Sequence, residues 1–105
     1  MPSANRGEVW IADLGLAGKR RPCLVMSVPF GDEDRALVTL VAHTTQLRNS
    51  DFEVVVTASF LDRGGAFDAQ NIITVPNAKL VRKLGMLPAD QLKRVEQTVL
   101  EWLGF

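Results

Sequence analysis

Short runs of apolar residues, separated by turns rich in glycine, proline and acidic side chains, fill the first three quarters of this chain. Within several of these runs apolar and polar positions alternate, which is the two-residue period of a half-buried β-strand. One run, 36–42, is almost continuously apolar, as in a central strand covered on both faces. The pattern predicts five strands, at residues 8–13, 23–28, 36–42, 52–57 and 71–75.

The last part of the chain changes period. After Pro88, a residue favoured in the first turn of a helix, apolar side chains recur at helical spacing and polar ones lie between them. Segment 79–83 fits either a short helical turn or a further strand. We therefore expect a mostly β (α+β) fold, a small twisted antiparallel sheet with one C-terminal amphipathic helix packed on it. The apolar face of that helix is predicted to carry Leu92, Val95, Val99, Trp102 and Leu103.

The length of the chain limits its architecture. Its 105 residues suffice for one domain with a single core, close to the size at which a second subunit adds useful stability. We expect a single domain over residues 1–105 that forms a dimer. No apolar run reaches the ~20 residues that span a bilayer, and the N-terminus lacks the order of a signal peptide. The expectation is a cytoplasmic protein without a membrane partner.

The charges point to a local site and not to a global field. The chain carries 12 basic and 12 acidic residues, so any nucleic-acid site has to be a patch. Two cationic clusters are present, Lys19-Arg20-Arg21 and Lys79 with Arg82 and Lys83. The first follows a flexible turn at Gly15 and Gly18, between the first two strands.

Pro22 gives the first cluster a specific geometry. A proline holds the residue before it in an extended conformation, so Arg21 is fixed at the junction of loop and strand. A fixed guanidinium suits bidentate contact with a phosphate. The alternative is that Arg21 forms an ion pair with Glu8 or Glu53 and stiffens the sheet.

A second candidate lies at the end of the third strand, in His43-Thr44-Thr45-Gln46. A hydroxyl at the rim of a rigid sheet could donate to a phosphate oxygen, although threonines also simply favour strands that lead into turns. His43, the only histidine, is a candidate general base. Strand alternation places it on the face opposite Thr44, which favours a packing or surface role.

Other chemistries have little support in the sequence. Cys23 lies in an apolar strand and is expected to be a buried structural thiol. One histidine and one cysteine form no metal-ligand cluster, and Asp32-Glu33-Asp34 lacks the spacing of a calcium loop. No phosphate loop or dinucleotide fingerprint is present, so no cofactor is expected. Trp10 and Trp102 are assigned to packing or to a dimer contact.

Four features occur in one order: Arg6-Gly7-Glu8-Val9-Trp10, Lys19-Arg20-Arg21-Pro22 before a strand that ends at Ser27, His43-Thr44-Thr45, and a final helix. Together they resemble the MazF/PemK/Kid family of toxin endoribonucleases over almost the whole chain. The resemblance implies an SH3-like barrel with a C-terminal helix, a homodimer and metal-independent cleavage of single-stranded RNA, with messenger RNA the expected target. In that reaction the ribose 2′-hydroxyl attacks the adjacent phosphate, leaving 2′,3′-cyclic phosphate and 5′-hydroxyl ends.

The resemblance also implies roles for individual residues. Arg21 matches the arginine with the central catalytic role, and Thr44 matches the threonine that helps it hold the phosphate, with Thr45 as the alternative. Gln70 stands where some members have an acidic base, and Ile73 where they have an arginine. The chain then relies on Arg21 and Thr44, or differs from those members in efficiency and sequence preference. The RNA-binding residues implied are Lys19, Arg20, Thr45, Gln46, Gln70 and Asn71.

Such toxins have a cognate antitoxin, whose acidic segment is expected to cover the loop of Lys19, Arg20 and Arg21. Two other functions remain open. A gyrase-poisoning toxin of the same barrel would act through its C-terminal helix and the apolar end 102–105. A catalytically inactive module that binds RNA or the antitoxin is suggested by the missing acidic residue at Gln70.

Overall fold

The computed structural model describes residues 4–15 and 19–105, and these form a single antiparallel sheet followed by a helix. The spatial order of the strands is β4-β5-β3-β2-β1-β6. This confirms the predicted mostly antiparallel sheet with a C-terminal helix. The elements are β1 (Glu8–Asp13), β2 (Arg20–Val25), β3 (Leu37–Thr44), β4 (Glu53–Val55), β5 (Ala66–Pro76), β6 (Leu80–Met86) and α1 (Ala89–Leu103).

Several strand boundaries differ from the prediction. β2 covers Arg20–Val25 and not 23–28, because its first residues pair with the end of β1. β5 covers Ala66–Pro76 and not 71–75. Its first half escaped the sequence pattern because the pairing of β3 with β5 shifts register between Val41 and His43, which interrupts the alternation of apolar residues. β3 ends two residues later than predicted and β4 is shorter.

The structure also defines the turns before β6 and after β1. Segment 79–83 was predicted to be either a short helical turn or a strand, and the structure contains both: a 3₁₀ turn at Asn77–Lys79 is followed directly by β6. The predicted turn after β1 includes Gly15, whose φ of 89° favours glycine. Gly18 lies outside the described residues.

Alternate residues of the central strands enter two separate cores. The core beneath α1 contains Val9, Leu24 and Val41 from the sheet and Val95 and Val99 from the helix. The second core contains Trp10, Cys23 and Leu40. Burial raises the pKa of the Cys23 thiol to about 12, against the opposing charge of Arg21, so this cysteine is the expected buried structural thiol.

Close contacts connect the loop after β4 with β6 at the opposite edge of the sheet, and the end of α1 with the residue before β4. Phe60, in the loop after β4, lies against Gly85 of β6, where a Cβ atom would approach its Cε2 to 2.6 Å. At the end of α1, Trp102 stacks edge-on against Phe52 with ring centroids 5.2 Å apart, although its side chain remains partly exposed. Leu103, predicted on the packed face, is exposed. Among the described residues, no helix is long and apolar enough to cross a membrane.

A buried charge joins the two strands at one side of the sheet. Glu8 is only 5% exposed, and its carboxylate accepts hydrogen bonds from the Asn5 backbone N–H at 2.9 Å and from Trp10 Nε1 at 3.0 Å. Lys83 Nζ of β6 lies 2.9 Å from Glu8 Oε2. Burial alone would raise the pKa of Glu8, but these contacts outweigh it and lower the pKa to about 2.

The alternative ion pair for Arg21 is therefore wrong within the part of the chain described. Glu8 is held by Lys83, Asn5 and Trp10. The carboxylate of Glu53 accepts instead from the backbone N–H groups of Arg48 and Ser50. Arg21 is thus left available for a different anion.

The Glu8 cluster predicts a specific acid sensitivity. Because folding lowers the pKa of Glu8 from 4.5 to about 2, its stabilisation is complete above pH 4.5 and is lost as the pH falls towards 2. This contribution is worth up to about 3 kcal/mol of unfolding free energy. Urea unfolding followed by circular dichroism at neutral and acidic pH should show this loss in the wild type and a smaller one in Glu8→Gln. Equal pH dependence in the two proteins would contradict the assignment.

Candidate functional site

A cavity of about 270 Å³ opens at the edge of the sheet where β2 begins and β3 ends. The register of these strands explains why distant residues meet there. Cys23 lies opposite Ala42, so continuing the same register by two residues places Arg21 opposite Thr44 on the same face. The cavity is lined by Lys19, Arg20, Arg21, Pro22, His43, Thr44, Thr45, Gln46 and Asp62.

The cavity brings most of the predicted site residues together. Arg21 and Thr44 line it, as do the neighbouring cations and the polar residues that follow Thr44. Gln70 and Asn71 do not line it; they lie within the irregular part of β5, where the backbone N–H of Gln70 donates to Asp68 Oδ1 at 3.0 Å. A contact of Gln70 and Asn71 with RNA stays a prediction.

The backbone fixes Arg21 more firmly than the two cations before it. Arg21 is half-buried and pairs with Ala12 of β1, while Pro22 follows it directly. Lys19 and Arg20 are exposed, and the Lys19 carbonyl accepts from the Leu14 N–H at 3.1 Å. The three cations share the cavity with one carboxylate among the described lining residues, which makes it a site for an anion.

Thr44 is oriented by the turn that follows it. Its Oγ1 accepts a hydrogen bond from the backbone N–H of Gln46 at 3.1 Å. That contact uses a lone pair of the hydroxyl and leaves its O–H free to donate. Thr45 is exposed and lies beyond the last residue of β3. The geometry therefore pairs Arg21 with Thr44 more directly than with Thr45.

His43 forms the inner wall of the cavity. It is 4% exposed and its ring contacts that of Phe67 edge-on, with centroids 5.1 Å apart. Within the described part of the chain its Nε2 is buried without a hydrogen-bond partner. Burial lowers the pKa of His43, although the charge of Asp62 acts to raise it, so the ring is neutral near pH 7.

Gly65 allows the loop between β4 and β5 to reach this wall. A Cβ atom at position 65 would lie 2.3 Å from His43 Cε1 and 3.0 Å from the Thr44 carbonyl oxygen. Only a residue without a side chain fits such a gap. Gly65 therefore holds the loop, including Asp62, at the edge of the cavity.

Asp62 is the lining residue that the sequence interpretation missed. It became a neighbour of Thr44 because β5 begins at Ala66, which pairs with Thr44. The sequence pattern predicted that this strand begins at residue 71, and it therefore did not place the loop 62–65 next to Thr44. The signal that could have found it was Gly64-Gly65, a turn directly before the start of β5.

Comparison with known proteins gives a consistent result. A family model described as "PemK-like, MazF-like toxin of type II toxin-antitoxin system" matches residues 5–103. An endoribonuclease from a mycobacterial species, in complex with its cognate antitoxin, is 27% identical, with a TM-score of 0.84 over 98% of this chain and 97% of that one. No curated protein sequence matches the chain significantly.

Two further solved structures are similar over nearly the whole chain. A mycobacterial endoribonuclease is 26% identical, with a TM-score of 0.80, and the match covers 100% of this chain and 95% of that one. The Mycobacterium tuberculosis toxin MazF-mt6 is 25% identical, with a TM-score of 0.79, over 93% of this chain and 97% of that one. The fold is therefore shared over nearly the whole length of this chain.

The contact of Gly65 with His43 gives a stability prediction. Gly65→Ala forces its new methyl group into the imidazole, and such overpacking costs about 1–3 kcal/mol of unfolding free energy. Gly31→Ala is the matched control, because its Cβ would meet only Asp34 Oδ2, at 3.4 Å. In a His43→Ala background the Gly65→Ala cost should shrink, since the ring is gone. An unchanged cost in both backgrounds, measured by urea unfolding, would rule out the contact.

Proposed function

Because the chain belongs to the PemK-like, MazF-like toxin family of type II toxin-antitoxin systems, we propose that it is an endoribonuclease that cleaves single-stranded RNA without a metal ion. The observation that carries the proposal is the cavity that places Arg21 beside Thr44. Relatives described as endoribonucleases share the fold over nearly the full length of the chain. Cleavage of messenger RNA would stop translation and growth.

Arg21 and Thr44 suit the phosphoryl chemistry of such a cleavage. When the ribose 2′-hydroxyl attacks the adjacent phosphate, negative charge builds up on the phosphate oxygens. The guanidinium of Arg21, fixed by Pro22, can donate two parallel hydrogen bonds to them. The free O–H of Thr44 can donate a third. The products are then a 2′,3′-cyclic phosphate and a 5′-hydroxyl.

The other polar groups around the cavity suit a single strand of RNA. Lys19 and Arg20 are exposed cations that attract the phosphate backbone on either side of the scissile bond. Thr45 and Gln46 offer hydrogen bonds to ribose or base edges at the same rim. Gln70 and Asn71 lie on β5 and would contact a more distant nucleotide.

A partner protein is part of the proposal. One structural relative is an endoribonuclease in complex with its cognate antitoxin, and we extend such a partnership to this chain. An acidic antitoxin segment would pair with Lys19, Arg20 and Arg21 and so compete with RNA. The proposed assembly is a single-domain homodimer in the cytoplasm. In support of a dimer, the end of α1 and the last residues expose Leu100, Trp102, Leu103 and Phe105.

Cleavage of a long single-stranded RNA in the presence of EDTA tests the activity. Arg21→Ala should lower the rate about 100- to 1,000-fold, because a donor to the developing charge is lost. Arg94→Ala, an exposed arginine of α1 that belongs to neither cationic cluster and lies outside the cavity lining, is the control and should keep the wild-type rate.

End analysis completes that experiment. The downstream fragments should accept phosphate from polynucleotide kinase without prior phosphatase treatment, and a 2′-deoxy substitution at the scissile nucleotide should block cleavage. A fully active Arg21→Ala variant would refute the role of Arg21. A wild-type protein that binds RNA or antitoxin without cutting would instead be an inactive binding module.

Shared use of the cationic surface is tested by charge reversal. The double change Arg20→Glu with Arg21→Glu should weaken both RNA binding and antitoxin binding and make the affinity for RNA less dependent on salt. Titrations at two salt concentrations measure both affinities, with Arg94→Glu as the control. An antitoxin affinity that does not change would exclude a common site.

A further inference from the structure

The proposed reaction needs a group that removes the proton of the attacking 2′-hydroxyl, and we propose that Asp62 is that group. This inference rests on the ribonuclease function proposed above. It assigns a catalytic role to a residue in the loop between β4 and β5 that lines the same cavity as the cations. The carboxylate would be the proton acceptor, while Arg21 and Thr44 hold the phosphate.

The composition of the cavity leaves few other acceptors. Lysine and arginine are protonated at neutral pH, and hydroxyl and amide groups are not bases there. His43 also lines the cavity, but it is only 4% exposed and its Nε2 is buried against Gly65, so it is less accessible to a substrate than the exposed carboxylate of Asp62. Of the described residues that line the cavity, Asp62 supplies the one carboxylate.

Asp62 is also available for this role. Its side chain is exposed, and the ion pairs found among the described residues, Arg6 with Glu96 and Lys83 with Glu8, lie elsewhere. Its charge nevertheless acts on the cavity wall, since it opposes the lowering of the pKa of His43. The carboxylate therefore lies near the wall, and no described residue forms an ion pair with it.

Three other carboxylates on neighbouring elements are committed to the backbone. Asp13 accepts from the Gly15 N–H, Asp68 from the Gln70 N–H, and Glu53 from the N–H groups that follow β3. None of the three lines the cavity. Each stabilises a turn or a bulge, whereas Asp62 lines the cavity and takes part in neither of the ion pairs found among the described residues.

The loop that carries Asp62 is anchored on both sides. Leu61 before it is buried in the core beneath α1, and its N–H donates to the Ala58 carbonyl at 3.1 Å. Gly65 after it presses against His43, and Ala66 pairs with Thr44. A catalytic group needs such support, because a loosely held carboxylate loses most of its effect.

The step balances without any added reagent. The Asp62 carboxylate takes the proton of the 2′-hydroxyl as the O2′ lone pair forms its bond to phosphorus. The bond from phosphorus to O5′ breaks, its electron pair stays on O5′, and that oxygen takes a proton from water. Asp62 then returns its proton to water, so the cleavage has no net proton change and the enzyme is restored.

Asp62→Asn tests the role, because it keeps the shape of the side chain and removes its basicity. Single-turnover cleavage should slow by about 100- to 10,000-fold. The affinity for a non-cleavable 2′-deoxy RNA should be equal or higher, since a negative charge has left a cationic cavity. Asp32→Asn is the matched control, an exposed carboxylate before β3 and outside the cavity lining, and should cleave at the wild-type rate.

Chemical rescue separates proton transfer from a structural role. Formate added to Asp62→Ala should restore cleavage in a saturable manner, while Arg21→Ala should not respond. The role of Asp62 is overturned if the wild type cleaves RNA and Asp62→Asn cleaves it equally fast. It is also overturned if Asp62→Ala is inactive and formate does not restore cleavage. In both cases the ribonuclease function stands. A wild-type protein that does not cleave RNA overturns both. Circular dichroism of each variant establishes that the fold is kept.

Discussion

The antiparallel register between β2 and β3 is the constraint on which the cavity depends. With Cys23 opposite Ala42, Arg21 and Thr44 meet at the end of the two strands and point to one face. Because side chains alternate, a slip of one residue would send Arg21 to the other face and separate it from Thr44. The apolar residues that specify this register, Cys23 and Leu40 on one face and Leu24 and Val41 on the other, belong to two different cores. Packing on both faces therefore fixes where the cations stand.

Charged groups divide into two kinds in this protein. Glu8 is buried, and its three partners compensate for the loss of water, so it stabilises the junction of β1 and β6. The charges around the cavity lie at the surface, where the strand ends and the loop 62–65 meet. Their exposure to water costs little free energy, and they remain available to bind a substrate. The ion pair that would have used Arg21 for stability is replaced by one that uses Lys83.

Elements with a regular period could be predicted from the sequence, and those with an interrupted period could not. β1 matches its predicted bounds, and α1 begins directly after Pro88. The first half of β5 was missed because a register shift breaks its alternation. The residues of the site divide in the same way into those that could be predicted and one that could not. Arg21 and Thr44 could be proposed from their neighbours in the chain and from a family resemblance, whereas Asp62 depends on a strand pairing that local pattern does not encode.

Pro22 has a consequence for how the cavity stays open. The pairs between β2 and β3 begin at Cys23, one residue after the proline, and most of the cavity lining comes from the ends of these strands beyond that point, where they do not pair with each other. Proline has no N–H to offer the next rung of the ladder. The cavity thus lies where β2 and β3 stop pairing with each other. A residue with an N–H at position 22 would offer that rung a donor, and sheet and substrate would then compete for the same backbone.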